Sequence, residues 1–248
     1  MTTSARTPHS PDRSLAGLRL AVTGGTSGLG LAVVETALAR GARVAFVART
    51  RDRVDQVART VRGAHGVVGD VSRKDDVYPI ALQLTAVLGG VDVLVNNASS
   101  LGPVPLAPLA DTSCEDLEAA LATNLLGPFR LTKAVLGSLT AAARDDRGGL
   151  VINVSSDAAV SAYEGWGAYS LSKAALLHLT RIWHAELAPL GVAMMSFDPG
   201  DMDTPLHATA LPDADRSLLK RPAAAARDLC DAIAAHLAQR SAGHVAQP

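Results

Sequence analysis

The segment "LRLAVTGGTSGLG" (18–30) decides the fold. Its first part, "LRLAVTG" (18–24), is almost continuously apolar, as expected for a strand covered on both faces of a parallel sheet. "TGGTSGLG" (23–30) follows and opens a helix that extends to about Arg40. Glycine lets a backbone approach a ligand closely, and a helix N-terminus offers free N–H groups to a phosphate. The segment therefore predicts a strand–loop–helix unit that binds a dinucleotide, with a tight turn without a ligand as the alternative.

The rest of the chain repeats this alternation of short apolar runs and longer segments of helical period. Further strands are predicted at 42–48, 66–71, 91–98, 149–156 and, with its following loop, 191–200. Helices are predicted at 52–61, 74–88, 113–143, 166–189 and 222–239. Repeated β-α units predict an α/β fold with a doubly wound parallel sheet between two layers of helices. We expect a disordered N-terminal tail at 1–14 and a single domain at 15–248.

Composition argues against several classes of function. The net charge is −1 with the signs interspersed, so neither a nucleic acid nor a membrane surface is an expected partner. Apolar runs fall well short of the ~20 residues of a membrane span, and the N-terminus lacks the apolar core of a secretory signal. The 2 cysteines have no metal or redox spacing, so we expect no metal and a reducing, cytoplasmic compartment.

A second stretch, "AYSLSK" (168–173), places Tyr169 and Lys173 four residues apart on one face of a predicted helix. A free tyrosine has a pKa near ~10 and is a poor base at neutral pH. A nearby ammonium group is expected to lower the pKa of Tyr169, which would let it donate and accept a proton during catalysis. A Tyr-x-x-x-Lys pair without further motifs is more often an ordinary surface pair.

Taken together, these motifs resemble the short-chain dehydrogenase/reductase family over about residues 15–240, which implies a Rossmann-type, three-layer form of the sheet. The glycine loop has the family's Thr-Gly-x-x-x-Gly-x-Gly spacing. "NNAS" (96–99) resembles its Asn-Asn-Ala-Gly, and "PGDMDT" (199–204) its Pro-Gly-x-x-x-Thr. Two departures stand out. Ser99 replaces a glycine, which is expected to narrow the space beside the adenine-side ribose, and the family's C-terminal strand is missing.

The resemblance implies four catalytic residues. Tyr169 would exchange the proton, Lys173 would also bind the nicotinamide ribose, Ser156 would hydrogen-bond the substrate oxygen, and Asn124 would hold a water that extends the proton path. Asn124 could instead cap or kink its helix. The resemblance implies a cofactor site formed by Gly24, Thr26, Ser27, Gly28, Leu29, Gly30, Arg49, Asp70, Val71, Asn97, Ala98, Ser99, Tyr169, Lys173, Pro199, Gly200 and Thr204.

The end of the second strand bears on the choice of cofactor. NAD enzymes carry an acid there for the ribose 2′-OH, and this chain has Ala48 in its place. Arg49 could pair with the 2′-phosphate of NADP, with Thr50 and Arg51 as secondary candidates. Many NADP-dependent members of the family carry a basic residue in the glycine loop, and this chain has Ser27 at that position. The sequence therefore favours NADP, with NAD possible.

Four other polar residues have two interpretations each. Tyr163 could line a substrate pocket or cover the core, and Asp157 is expected to be a loop or cap residue rather than a second acid. Asp203 and His207 could face substrate or solvent.

The sequence thus predicts an NADP(H)-dependent oxidoreductase that interconverts a small carbonyl compound and an alcohol, with reduction favoured. The alternatives are a non-catalytic dinucleotide-sensing regulator and an NAD-dependent alcohol dehydrogenase. A sugar-nucleotide epimerase or an enoyl reductase fits the spacings less well. Apolar residues on the 166–189 helix predict a homodimer through helices 113–143 and 166–189, with a tetramer as the alternative.

Overall fold

A computed structural model describes residues 12–245, and their side chains as far as residue 240; residues 1–11 of the predicted tail lie outside the described residues. Within this range, six parallel strands form one sheet in the order β3-β2-β1-β4-β5-β6. The strands are β1 Arg19–Thr23, β2 Arg43–Ala48, β3 Ala64–Val68, β4 Val93–Asn96, β5 Leu150–Val154 and β6 Ala193–Phe197. The helices are α1 Gly28–Ala39, α2 Arg51–Thr60, α3 Lys74–Leu88, α4 Cys114–Leu121, α5 Gly127–Arg144, α6 Gly167–Leu187, α7 Pro205–Ala210 and α8 Pro222–Val245.

Both faces of the sheet are covered, which explains why its strands are continuously apolar. On β1, Leu20 and Val22 join one buried cluster with residues of α1 and α8. Ala21, between them, points to the opposite cluster, which α3 and α5 help to form. The doubly wound α/β architecture predicted from the sequence is therefore confirmed.

Three element boundaries differ from the prediction. β3 lies at Ala64–Val68 rather than 66–71, because its pairing follows β2 and stops where that strand ends, at Ala48 opposite Val68. The predicted helix at 113–143 is divided by a π-helical turn at Ala122–Leu126. The last helix, α8, continues to Val245 instead of ending near residue 239.

The order of the strands determines where a ligand can bind. From β1 the chain builds outward to β3 on one side and, after crossing back, through β4 to β6 on the other. The loops that follow β1 and β4 therefore diverge, and a crevice opens at the carboxyl ends of the strands. None of the helices described within residues 12–245 is long and apolar enough to cross a membrane.

A buried ion pair ties strands together at the opposite, amino edge of the sheet. Asp92, just before β4, accepts hydrogen bonds from the backbone N–H of Arg19 at 2.8 Å and from its Nε at 3.0 Å. The Asp92 side chain is 1% exposed. Its backbone oxygen also accepts the N–H groups of Gly149 and Leu150, so this residue joins β1, β4 and the start of β5.

Residues 201–221, which we call the flap, follow β6 and lie beside the crevice. A parallel bridge between Met202 and Lys220 closes the flap at its neck. There, the N–H of Asp203 donates to the Lys220 oxygen at 3.0 Å, and the N–H of Lys220 donates to the Asp201 oxygen at 2.9 Å. Arg216 holds both carboxylate oxygens of Asp203, at 2.8 and 3.1 Å. The flap is thus a closed loop with α7 inside it.

Candidate active site

A single cleft of about 780 Å³ occupies the carboxyl edge of the sheet. It extends from Arg49 and Asp70 at one end to Trp166 and Leu211 at the other, with the flap along one side. Of the residues that the sequence predicted for the site, Gly30 and Asn124 lie behind the cleft wall and the others line it. Among the described residues, no group of three His, Cys, Asp or Glu side chains could hold a metal ion.

The glycine loop has the geometry of a phosphate cradle. Gly24 and Gly28 adopt positive φ angles of 71° and 51°, which favour glycine. A Cβ on Gly30 would stand 2.2 Å from the Gly24 oxygen, so only glycine lets α1 pack this close to the loop. Within the described chain no side chain caps α1, and its first turn contains no acid. Its N–H groups therefore remain available to an anion, and the loop fits a dinucleotide pyrophosphate.

Thr23 and Asn97 join the ends of β1 and β4 across the crevice. The Thr23 hydroxyl accepts the N–H groups of Asn97 and Ala98, both at 3.0 Å. The Asn97 amide donates to the Thr23 oxygen at 2.9 Å. The side chain of Asn97 therefore holds the loop in shape. The sequence analysis did not select Thr23, although the threonine before the first loop glycine was a visible signal.

Asn124 is held in the π-helical turn by four hydrogen bonds. Its Oδ1 accepts the N–H of Ser100 at 2.8 Å and the hydroxyl of Ser99 at 3.2 Å. Its Nδ2 donates to the Ser100 oxygen at 2.7 Å and to the Ser172 hydroxyl at 2.8 Å. Pro128, four residues later, has no N–H for the Asn124 carbonyl, so a regular α-helical bond is missing here. π-Helical turns of this kind often mark functional sites.

Tyr169 and Lys173 lie on the floor of the cleft, 8% and 2% exposed. Lys173 Nζ lies 5.5 Å from the centroid of the Tyr169 ring and donates to the Val154 oxygen at 2.8 Å. Burial raises the pKa of Tyr169 to about 12, although the neighbouring hydroxyl groups of Ser156 and Ser99 oppose the shift. Burial also lowers the pKa of Lys173 to about 8. The expectation of a lowered tyrosine pKa was therefore wrong, because desolvation of the phenolate outweighs the nearby ammonium.

Ser99, where the family pattern has glycine, contacts the catalytic candidates. Its hydroxyl donates to Asn124 Oδ1 at 3.2 Å and lies close enough to the phenol oxygen of Tyr169 to oppose the rise in the pKa of that residue. The sequence analysis expected Ser99 only to narrow the space beside a ribose. The proximity of Ser99 and Tyr169 depends on how the loop after β4 packs against α6. Local sequence patterns do not predict that packing.

Ser156 lies at the end of β5 within a row of three polar side chains. Its hydroxyl donates to Asp157 Oδ1 at 2.9 Å, and the hydroxyl of Tyr163 donates to Asp157 Oδ2 at 2.7 Å. All three residues line the cleft. Asp157 is thus more than a cap, and Tyr163 is a cleft residue rather than a core residue. His207 also lines the cleft, whereas Asp203 pairs with Arg216 in the flap.

Two arginines lie near the end of β2. Arg49 has 74% of its side chain exposed and stands 4.0 Å from Asp70 Oδ2. Arg53 lines the cleft as well, whereas Arg51 is not among the lining residues. The sequence analysis selected Arg51 and missed Arg53. The structure shows that α2 begins at Arg51 and that Arg53, in its first turn, lines the cleft together with Arg49.

Known proteins resemble the chain in sequence. A family model described as short chain dehydrogenase matches residues 19–215. The chain is 33% identical over 190 residues to 2-(R)-hydroxypropyl-CoM dehydrogenase of Xanthobacter autotrophicus, which covers 75% of this chain and 74% of that protein. It is 32% identical over 213 residues to 3-hydroxyacyl-CoA dehydrogenase type-2 of Bos taurus, which covers 84% of this chain and 81% of that protein.

The fold also matches solved structures. A 3-ketoacyl-(acyl-carrier-protein) reductase from Brucella melitensis, crystallised with NADH, superposes with a TM-score of 0.82 at 24% identity. The superposition covers 88% of this chain and 91% of that chain. At this level of identity the likeness establishes the fold.

Proposed function

The chain belongs to the short-chain dehydrogenase family, and we propose that it is an NADP(H)-dependent oxidoreductase that interconverts a ketone or aldehyde and its alcohol, with reduction favoured. One observation carries this proposal. Ser156, Tyr169 and Lys173 lie on the wall and floor of the same cleft whose other end has an uncapped helix N-terminus and a glycine cradle. A buried acid–base group beside a dinucleotide-sized cleft is the arrangement that hydride transfer to a carbonyl requires.

The cofactor site is assigned to the half of the cleft around the glycine loop. The N-terminus of α1 would hold the pyrophosphate, and Lys173 would bind hydroxyls of the nicotinamide ribose. Arg49 and Arg53 are the cations available for a 2′-phosphate, and Ala48 places no carboxylate there to repel it. These features support NADP over NAD.

In the proposed reaction the bound nicotinamide supplies the hydride, and residues of the chain handle the proton. Ser156 would orient the carbonyl oxygen, and Tyr169 would protonate it as the alkoxide forms. With a pKa of about 12, Tyr169 is protonated at neutral pH, the state that reduction needs. Lys173, with a pKa of about 8, is mainly cationic at neutral pH and would stabilise the phenolate that remains. The phenolate would be reprotonated along a path from Lys173, and Asn124 would hold the water that then returns a proton to Lys173.

The Tyr169→Phe variant tests the proton donor. We expect kcat for carbonyl reduction to fall about 10²–10⁴-fold, the usual contribution of a general acid. NADPH affinity, followed by fluorescence titration, should change little because only a hydroxyl is removed. Tyr78→Phe is the matched control, since Tyr78 is 73% exposed on α3. A Tyr169→Phe enzyme with most of the wild-type kcat would overturn the assignment.

The double variant Ala48→Asp, Arg49→Leu tests cofactor choice. The new carboxylate should bind a ribose 2′-OH and repel a 2′-phosphate, so the ratio of kcat/KM for NADPH over NADH should fall at least about tenfold. Arg51→Leu removes the same charge from outside the cleft lining and should leave the ratio unchanged. A wild-type ratio below unity would show that NAD is the cofactor.

A further inference from the structure

Ser156 makes a hydrogen bond that competes with its proposed role, which is to donate to the substrate carbonyl oxygen. A serine hydroxyl carries one hydrogen, and Ser156 has two protein acceptors for it: Asp157 Oδ1 at 2.9 Å and the phenol oxygen of Tyr169. The ionised carboxylate is the stronger of these two acceptors. The N–H of Ala158 supports the arrangement by donating to the same carboxylate oxygen at 2.7 Å and to the Ser156 oxygen at 3.2 Å. A substrate carbonyl is itself an acceptor, so Ser156 cannot bind it until its hydrogen leaves Asp157.

Asp157 is a strong competitor for that hydrogen. Ionised carboxylates form shorter and stronger hydrogen bonds than neutral carbonyls do. The hydrogen bond from Tyr163, with smaller contributions from Ser156 and Ala158, holds the pKa of Asp157 below its ordinary value of 3.8. Asp157 is therefore ionised at neutral pH, and protonation does not release Ser156. Another donor has to take the place of the Ser156 hydroxyl.

We propose that Asp157, braced by Tyr163, determines specificity by selecting substrates that carry a hydroxyl or ammonium group next to the reacting carbonyl. That group donates to Asp157 Oδ1, and the released hydroxyl of Ser156 then donates to the carbonyl oxygen. Water can also donate to Asp157, but a group attached to the bound substrate does so at a much higher effective concentration. This inference rests on the carbonyl reduction proposed above and names its substrate class.

The charge around Asp157 favours the same class of substrate. Asp157 and Asp201 both raise the pKa of Tyr163, and Asp157 and Asp198 both raise the pKa of Tyr169. These carboxylates all line the cleft. An anionic substituent beside the carbonyl would be repelled there, whereas a neutral hydroxyl or a cationic amine would not.

Matched pairs of ketones test the proposal: hydroxyacetone against acetone, and acetoin against butanone. A hydroxyl also makes the neighbouring carbonyl more reactive, so the diagnostic quantity is how a variant changes the kcat/KM ratio within each pair. Asp157→Ala should lower that ratio about tenfold or more, because it removes the acceptor for the substrate hydroxyl and frees Ser156 for the plain ketone. Tyr163→Phe keeps the carboxylate but removes the hydrogen bond that braces it, so the ratio should fall by less than in Asp157→Ala.

Asp201→Asn is the control for charge alone, and thermal unfolding checks that each variant is folded. An Asp157→Ala ratio equal to that of the wild type overturns the proposal. An equal fall of the ratio in Asp201→Asn also overturns the proposal. The negative charge of the cleft, rather than a hydrogen bond to Asp157, would then be responsible for the preference. If the wild type reduces none of these ketones with either nicotinamide, the proposed reaction itself fails.

Discussion

Lys173 illustrates at the residue scale how a functional group opposes stability. Its ammonium group is buried, 2% exposed, with the Val154 oxygen as its hydrogen-bond acceptor. Desolvation therefore dominates and lowers the pKa of Lys173 from 10.5 to about 8. In the unfolded chain the same side chain keeps its proton up to the ordinary pKa. Residues placed for chemistry in this way commonly reduce the stability of a fold.

A pH-dependent comparison with Lys173→Met follows from this shift. Between about pH 8 and 10.5 the unfolded state binds more protons at this residue than the folded state does. The free energy of unfolding of the wild type, relative to the variant, should therefore rise with pH across that window. Urea denaturation at several pH values measures the difference, and the variant should be inactive. A difference that does not change with pH would show that Lys173 keeps an ordinary pKa.

The sequence identified the site residues that belong to motifs, but it did not predict the contacts of their neighbours. Ser156, Tyr169 and Lys173 could be selected because their spacing along the chain resembles the motifs of a known family. The direction of the Tyr169 pKa shift could not be predicted, because it depends on how deeply the phenol is buried in the folded protein. The bond from Tyr163 to Asp157 spans a loop whose path no periodicity describes.

At the scale of elements, apolar runs in the sequence predicted the strands. A helical turn that depends on tertiary hydrogen bonds was predicted only in part. The six strands were found because each contains a short apolar run, and β1, β4 and β5 are buried along their whole length. The turn at Ala122–Leu126 was anticipated only as an alternative, a kink at Asn124. Pro128 removes one helical hydrogen bond there, and Ser100, from another part of the chain, bonds Asn124 through both its N–H and its carbonyl. A helix pattern read from 113–143 contains no trace of that partner.

The two edges of the sheet should respond differently to mutation. Asp92→Ala leaves Arg19 without its buried partner at the amino edge and should destabilise the fold by about 3–5 kcal/mol. The folded variant should keep its kcat/KM, because the cleft lies at the opposite edge. Asp203→Ala removes an exposed pair with Arg216 and should leave the unfolding free energy nearly unchanged. Equal losses in urea denaturation would contradict this distinction.

At the scale of the whole molecule, α6 has an apolar outer face. Leu171 and Ile182 are 48% and 43% exposed, whereas Leu176 on the same helix is buried. Trp183 stacks on Phe129 of α5 with ring centroids 5.1 Å apart. A second copy of the chain packed on α5 and α6 would cover this surface, in agreement with the dimer expected from the sequence.

The oligomer proposal is tested by Ile182→Glu. A carboxylate in the centre of a helix-to-helix interface cannot be solvated, so the mass measured by light scattering should fall from that of a dimer to that of a monomer. Leu82→Glu on α3, where the side chain is 71% exposed, is the control and should leave the mass unchanged. A wild-type protein that scatters as a monomer, or as a stable tetramer, would contradict the proposed dimer.

The closed neck of the flap also bears on the entropy of binding. A loop with free ends loses backbone freedom when it settles on a ligand, and that loss subtracts from affinity. Here Met202 and Lys220 are bridged, and Arg216 fixes Asp203 across the loop. The flap therefore has its shape before any ligand arrives, and its conformational entropy is lost when the chain folds. Little of the binding free energy is then consumed in ordering the loop when a ligand binds.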